Sequence, residues 1–130
     1  MADEKYVMYK NGKFSTSDEG GGGSASHTYS SEEQVVGVWT DGKPVYEKTY
    51  TTPSFNGSYD IQTGIPFGMA MIVGGYYMLN DNNSMIGLNE WFASANYSFC
   101  HAELDGDIRC MLQGYTGVGH IVIRYTKSTD

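Results

Sequence analysis

The chain reads as an all-β protein, and three observations predict it. Aromatic residues make up 14% of the 130 residues, which also include 17 Gly. That pairing favours pleated strands and tight turns over helices. Short apolar runs recur between Asn-Gly and Asp-Gly turn signals along the chain, the pattern expected of a sandwich or jelly roll. The longest apolar run, FGMAMIVGGYYML over 67–79, is interrupted by Gly68, Gly74 and Gly75, which argues against a buried helix. The expected architecture is an antiparallel β-sandwich, jelly-roll-like, with a short N-terminal arm or hairpin. One domain of this size can bury one core.

Two regions divide the chain: 1–28, an arm with a Gly-rich flexible segment, and 29–130, the sandwich. Tyr6–Phe14 alternates in bulk around Asn11-Gly12, a type I′ hairpin signal. Ser15–His27 contains GGGGS and has nothing to bury, so it reads as a flexible link with His27 solvated. A phosphate-binding loop would need a Lys-Ser/Thr ending and a preceding strand, which this stretch lacks.

Ser30-Ser-Glu-Glu33 has capping-box spacing and predicts a single helical turn. Next comes Gln34–Tyr50, QVVGVWTDGKPVYEKTY, the plainest hairpin in the chain. A two-residue Asp41-Gly42 turn would set Trp39 opposite Pro44, Val38 opposite Val45 and Gly37 opposite Tyr46. Trp39, Pro44 and Tyr46 would then cluster. Pro44 lacks a donor for a further strand, which marks a locally open edge.

Beyond it, Thr51–Ser58 reads as a loop turning at Asn56-Gly57, and Tyr59–Thr63 as a short strand. Strands are expected over Met69–Val73 and Tyr76–Leu79 with a Gly-Gly bend between them, then a turn at Asn80–Ser84. Met85–Leu88 and Trp91–Ala93 begin the next strand, which Asn96–Glu103 continues. After Asp105-Gly106 a strand covers Ile108–Gln113, and Gly114–Gly119 reads as a loop. In the last strand, His120, Val122 and Arg124 take one face and Ile121, Ile123 and Tyr125 the other.

The motif YSSEEQVVGVWTDGKPVY over Tyr29–Tyr46 and the ending GHIVIRYTKSTD over Gly119–Asp130 resemble a family of small β-domains at the C-termini of phage and prophage tail or virion proteins. The resemblance anchors both ends of 29–130 and is weak between them. It implies a virion location, synthesis in a bacterial cytoplasm, and a homo-oligomer, trimeric by analogy with phage fibres. It further implies contact with other virion proteins and with a host-surface glycan or protein. The alternative is a purely structural head or tail decoration or assembly protein without a host ligand.

The formal charge of −7 repels phosphate backbones, so nucleic acid is not an expected partner. No run is long and apolar enough for a membrane-spanning helix, and the polar start, Met-Ala-Asp-Glu-Lys, does not read as a signal peptide. Neither a catalytic motif nor a cofactor motif frames the Ser and His residues, so no enzyme activity or cofactor is expected. Glu90, Glu103, Asp105 and Asp107 are the carboxylates a glycan-processing enzyme would draw on, but no acid–base pair is recognisable among them. Asp105 and Asp107 lack the further ligands of a calcium loop. Cys100, His101, Cys110 and His120 lack zinc-knuckle spacing, so no metal is expected.

The two Cys depend on the turn between them. A two-residue Asp105-Gly106 turn sets Cys100 opposite Met111, and a three-residue loop Leu104–Gly106 sets it opposite Cys110. In a reducing cytosol either arrangement leaves free thiols. The candidate ligand or interface contacts are Tyr76, Tyr77, Trp91, Tyr97 and Tyr115, with Phe92 in the same aromatic set. Each can simply fill the core, yet Tyr and Trp near loops also suit sugar stacking or protein contact, since both pair apolar area with a polar tip.

Overall fold

The computed structural model describes residues 7–10, 13–16, 27–81 and 84–130. Their strands are β1 (Val7–Lys10), β2 (Lys13–Thr16), β3 (Gln34–Val38), β4 (Pro44–Thr51), β5 (Phe55–Gln62), β6 (Phe67–Leu79), β7 (Met85–Ile86), β8 (Glu90–Ala93), β9 (Asn96–Ala102) and β10 (Asp107–Lys127). Every pairing among them is antiparallel. The fold is all-β, as the composition predicts. β1 and β2 form their own hairpin, with Lys10 opposite Lys13. Most of the Gly-rich link lies outside the described residues, while Ser15 and Thr16 belong to β2.

The other strands form one eight-stranded sheet organised by β10, which runs for 21 residues. Its first part, to Leu112, lies between β5 and β9, and β8 extends that half beyond β9. Its later part, from Gly117, lies between β4 and β6, with β3 and β7 at the margins. The two halves share one core that includes Phe55, Phe67, Tyr77, Leu112, Ile121, Ile123 and Tyr125. Tyr77 on β6 joins them, its hydroxyl donating to the Phe99 carbonyl on β9 at 2.8 Å. Each fully buried Leu or Ile there contributes about 1.5–3 kcal/mol of transfer free energy.

A phase change in β10 lets one strand serve both halves. Ile108, Cys110 and Leu112 point inward early, whereas Ile121, Ile123 and Tyr125 do so later. Leu112 faces Gly57 and Thr116 faces Asn56, so Gln113, Gly114 and Tyr115 have no partner on β5. An odd number of inserted residues moves the inward set from even to odd positions. Gly114 sits at φ +84°, and a Cβ there would strike the Ala95 carbonyl. The bulge therefore requires glycine.

The structure corrects several sequence expectations. Gly114–Gly119 is strand, because Gly117 and Gly119 lie in tight ladder contact with β6. Phe55–Gln62 is one strand, and Asn56-Gly57 faces the bulge inside it. Phe67–Leu79 is continuous, its Gly74-Gly75 irregularity absorbed as a register shift. β8 and β9 pair with each other and do not form one strand. Residues 30–33 make no helical turn; Ser30 Oγ instead accepts the Glu32 amide at 2.9 Å, a local bond that competes with helix.

Both Asp-Gly turns are three-residue loops. Trp39 N–H donates to Lys43 O and Gly42 N–H to Trp39 O, and Glu103, Asp107 and Gly106 repeat the pattern. In each, the Asp carboxylate accepts the amide just beyond the Gly, Lys43 or Asp107, at 3.0 Å. That Asx bond fits a turn with one positive-φ residue followed by a bulge. Val38 therefore faces Pro44, and Gly37 faces Val45. The expected cluster of Trp39, Pro44 and Tyr46 does not form: Trp39 shares a groove with Val45, while Tyr46 turns to the other face and stacks on Tyr125.

Candidate functional site

The second half of the sheet closes its outer face with charge. Glu47 on β4 is fully buried, and its carboxylate meets Arg124 Nε at 3.0 Å, His27 Nε2 at 2.6 Å and Gln34 Nε2 at 3.3 Å. Burial pushes its pKa up, but the donors of His27 and Arg124 outweigh that and hold it below the usual carboxylate value. His27 is thus docked on the sheet, contrary to the solvated role expected for it. On the opposite face, where Tyr125 points, Glu33 accepts from the Tyr125 hydroxyl and from Lys127 Nζ at 2.8 Å. An open groove of about 220 Å³ adjoins the Glu47 face, lined by Val36, Val38, Trp39, Val45, Met71 and Arg124 among others.

The first half differs. On β9 the inward residues are Ser98 and Cys100, so alternation sends Tyr97, Phe99 and His101 outward. Trp91 on β8 lies opposite Tyr97. The rings form a row: Trp91 to Tyr97 at 5.5 Å and 21°, Tyr97 to Phe99 at 6.5 Å and 10°, Phe99 to His101 at 5.5 Å and 22°. Trp91 is 69% exposed. Phe92, extra in the β8–β9 register, meets Tyr115 edge-on at 6.1 Å.

At the His101 end the row runs into polar groups. His101 Nε2 lies 3.1 Å from Glu103. Arg109, opposite His101 on β10, donates through Nε and Nη2 to both Asp60 oxygens at 3.2 Å. Its Nη2 also lies 3.8 Å from Glu103. The hydrogen bonds and charge of Asp60, and then the charge of Glu103, stabilise the protonated form of Arg109 and raise its pKa. Desolvation, then the charges of Asp105, Asp60 and Glu103, raise the pKa of Asp107. This corner is acidic around a guanidinium whose Nε and Nη2 are engaged by carboxylates. It offers oxygen acceptors to a ligand and disfavours anions.

Of the candidate contacts, Trp91 and Tyr97 come together in the row, and Tyr115 stands beside it through Phe92. Tyr76 lies elsewhere, tilted against His120 at 4.9 Å on the other half. Tyr77 is corrected outright: it is 0% exposed and bonded inside the core, so it cannot touch a ligand. Phe99 and His101 were missed as contacts, although the alternation of Asn96–Glu103 carried their signal. The four residues considered as a metal set are dispersed: Cys100 and Cys110 face each other inside, His101 lies on the outer row, and His120 sits with Tyr76. Glu90 lies on β8, where its backbone amide donates to Ser98 Oγ at 3.2 Å.

No family model, curated protein or solved structure matches the chain.

Proposed function

We propose that this chain is a non-catalytic binding module of a phage virion, in tail or fibre, that engages a neutral host-surface glycan along Trp91, Tyr97, Phe99 and His101. The observation that supports it is the row of near-parallel rings on an outer face, ending at a hydrogen-bonding corner. The C–H face of a pyranose stacks on such rings, and its hydroxyls bond polar groups at their edge. Exposed apolar surface rimmed by polar groups is where partners bind. The acidic corner and the net charge of −7 select against anionic polysaccharides and nucleic acid. Titration with soluble neutral polysaccharides of glucose, galactose and N-acetylglucosamine, followed by Trp fluorescence, tests the proposal. Saturable binding that Trp91→Ala weakens supports it; binding that ignores Trp91 refutes it.

A second reading is a structural assembly role, favoured by exposed Val35 and Val38 on β3 and Met85 on β7, at the margins of the other half. Edges that pair with no further strand among the described residues and carry apolar side chains suit burial between copies of the chain, and the fibre analogy makes a trimer the first expectation. Sedimentation at micromolar concentration separates the cases: a homo-oligomer that Val38→Lys dissolves favours assembly through this edge, and a monomer removes it.

A further inference from the structure

We propose that Cys100 and Cys110 are a redox modification site, closing to a cross-strand disulfide beneath the ring row when the protein meets a peroxide oxidant. The pairing that carries this is direct: Cys100 on β9 faces Cys110 on β10, with the sulfurs 3.9 Å apart. The Cys100 amide donates to Asn89 Oδ1 at 3.3 Å, on the side of β9 away from β10. Cys100 and Cys110 are therefore a non-hydrogen-bonded pair, the closer of the two antiparallel kinds, with Cα atoms about 4.5 Å apart. A disulfide spans Cα separations of about 4.4–6.8 Å. The backbone is already within reach, and side-chain rotation suffices to bring the sulfurs together.

The surroundings also favour this chemistry. Both thiols are buried, which excludes bulky reagents, so an oxidant close to water in size reaches them when β9 opens locally. The two thiols hydrogen-bond each other, and the Cys100 S–H lowers the Cys110 pKa against the burial that raises it, so Cys110 can serve as the nucleophile. Its thiolate attacks one peroxide oxygen, the O–O bond breaks, and the departing hydroxide takes up the proton that Cys110 released, leaving a sulfenic acid and water. Cys100 then attacks the Cys110 sulfur, the S–O bond breaks, and hydroxide leaves with the Cys100 proton as a second water. The two thiols lose two electrons and two protons, and one peroxide becomes two waters. The closed link would pin β9, and with it Tyr97, Phe99 and His101, to the core strand.

The test is to treat the folded, reduced protein with hydrogen peroxide, then denature it and titrate thiols. Peptide mass mapping without reductant identifies the linkage. The expected result is loss of both thiols to one intramolecular Cys100–Cys110 link, restored by dithiothreitol. Amide exchange across Phe99–Ala102 should slow by about tenfold, because the link constrains opened states. Two thiols surviving treatment would overturn the proposal. So would thiol loss to sulfinic acid, or to links between chains.

Discussion

Over its first half β10 lies beneath a row of rings open to solvent, whereas over its second half its outer neighbours are a buried carboxylate and the groups that neutralise it. Both halves bury aliphatic side chains inward, so the contrast belongs to the outer faces. Glu47 is satisfied by Arg124, Gln34 and His27, all from this chain. Trp91 and Phe92 touch other rings yet remain more than half exposed. The lesson is one of allocation: polar groups that find every partner internally stabilise a fold, while apolar rings without a cover form a surface for something else.

The contrast depends on the phase change at the bulge, and breaking it there should have the largest effect. Gly114→Val places a branched side chain at φ +84° against the Ala95 carbonyl. We expect a loss of about 3 kcal/mol or more in urea unfolding, and disorder of β8 and β9 by NMR. Next comes the closed face. Arg124→Met leaves Glu47 buried without its guanidinium and should cost about 2–3 kcal/mol, somewhat less than a fully stripped charge because Gln34 and His27 remain.

Acid sharpens the same comparison. For Glu47, burial acts upward but the His27 and Arg124 bonds win; for Glu33, burial again acts upward but Lys127 and Tyr125 win. Both folded values lie below the ordinary 4.5. The stabilisation is therefore fully present above pH 4.5 and is lost as pH falls through the depressed folded values. Amide exchange in β3 should accelerate on acidification before exchange in β9 does. Glu47→Gln should flatten that acid dependence. An equal response in β3 and β9 would remove the distinction between the halves.

Some of this was legible in the sequence, and the failures have physical causes. Alternation in His120–Tyr125 grouped Ile121, Ile123 and Tyr125 on one face, because a half-buried strand carries its own period, and the structure buries that face. The Asp-Gly pairs announced both hairpins but not their loop length, since one dipeptide serves two-residue turns and three-residue bulged loops alike. The backbone bonds that close each loop and the Asx bonds of Asp41 and Asp105 distinguish them. Gly114–Gly119 looked like a loop because its glycines are needed for close ladder contact, and local propensity is blind to what packs against it. The row was half visible: Tyr97, Phe99 and His101 follow from alternation, but Trp91 joins only through a β8–β9 register shift. Tyr77 and Tyr76 are neighbours of the same hydropathy, and only the phase of β6 assigns one to the core.

The smallest stability effect belongs to the most exposed ring, and it leads to the most direct test. Trp91→Ala should change unfolding free energy by no more than about 0.5 kcal/mol, as expected for an exposed side chain. Its binding should change far more. In parallel titrations with the neutral polysaccharide that binds the parent best, Trp91→Ala should weaken affinity by about tenfold or more, the scale of a lost aromatic stacking contact with its buried area. Trp39→Ala, on the other half, should leave affinity unchanged. Equal affinity in the parent and Trp91→Ala, or a loss confined to Trp39→Ala, would contradict the assignment of the open face as the binding surface.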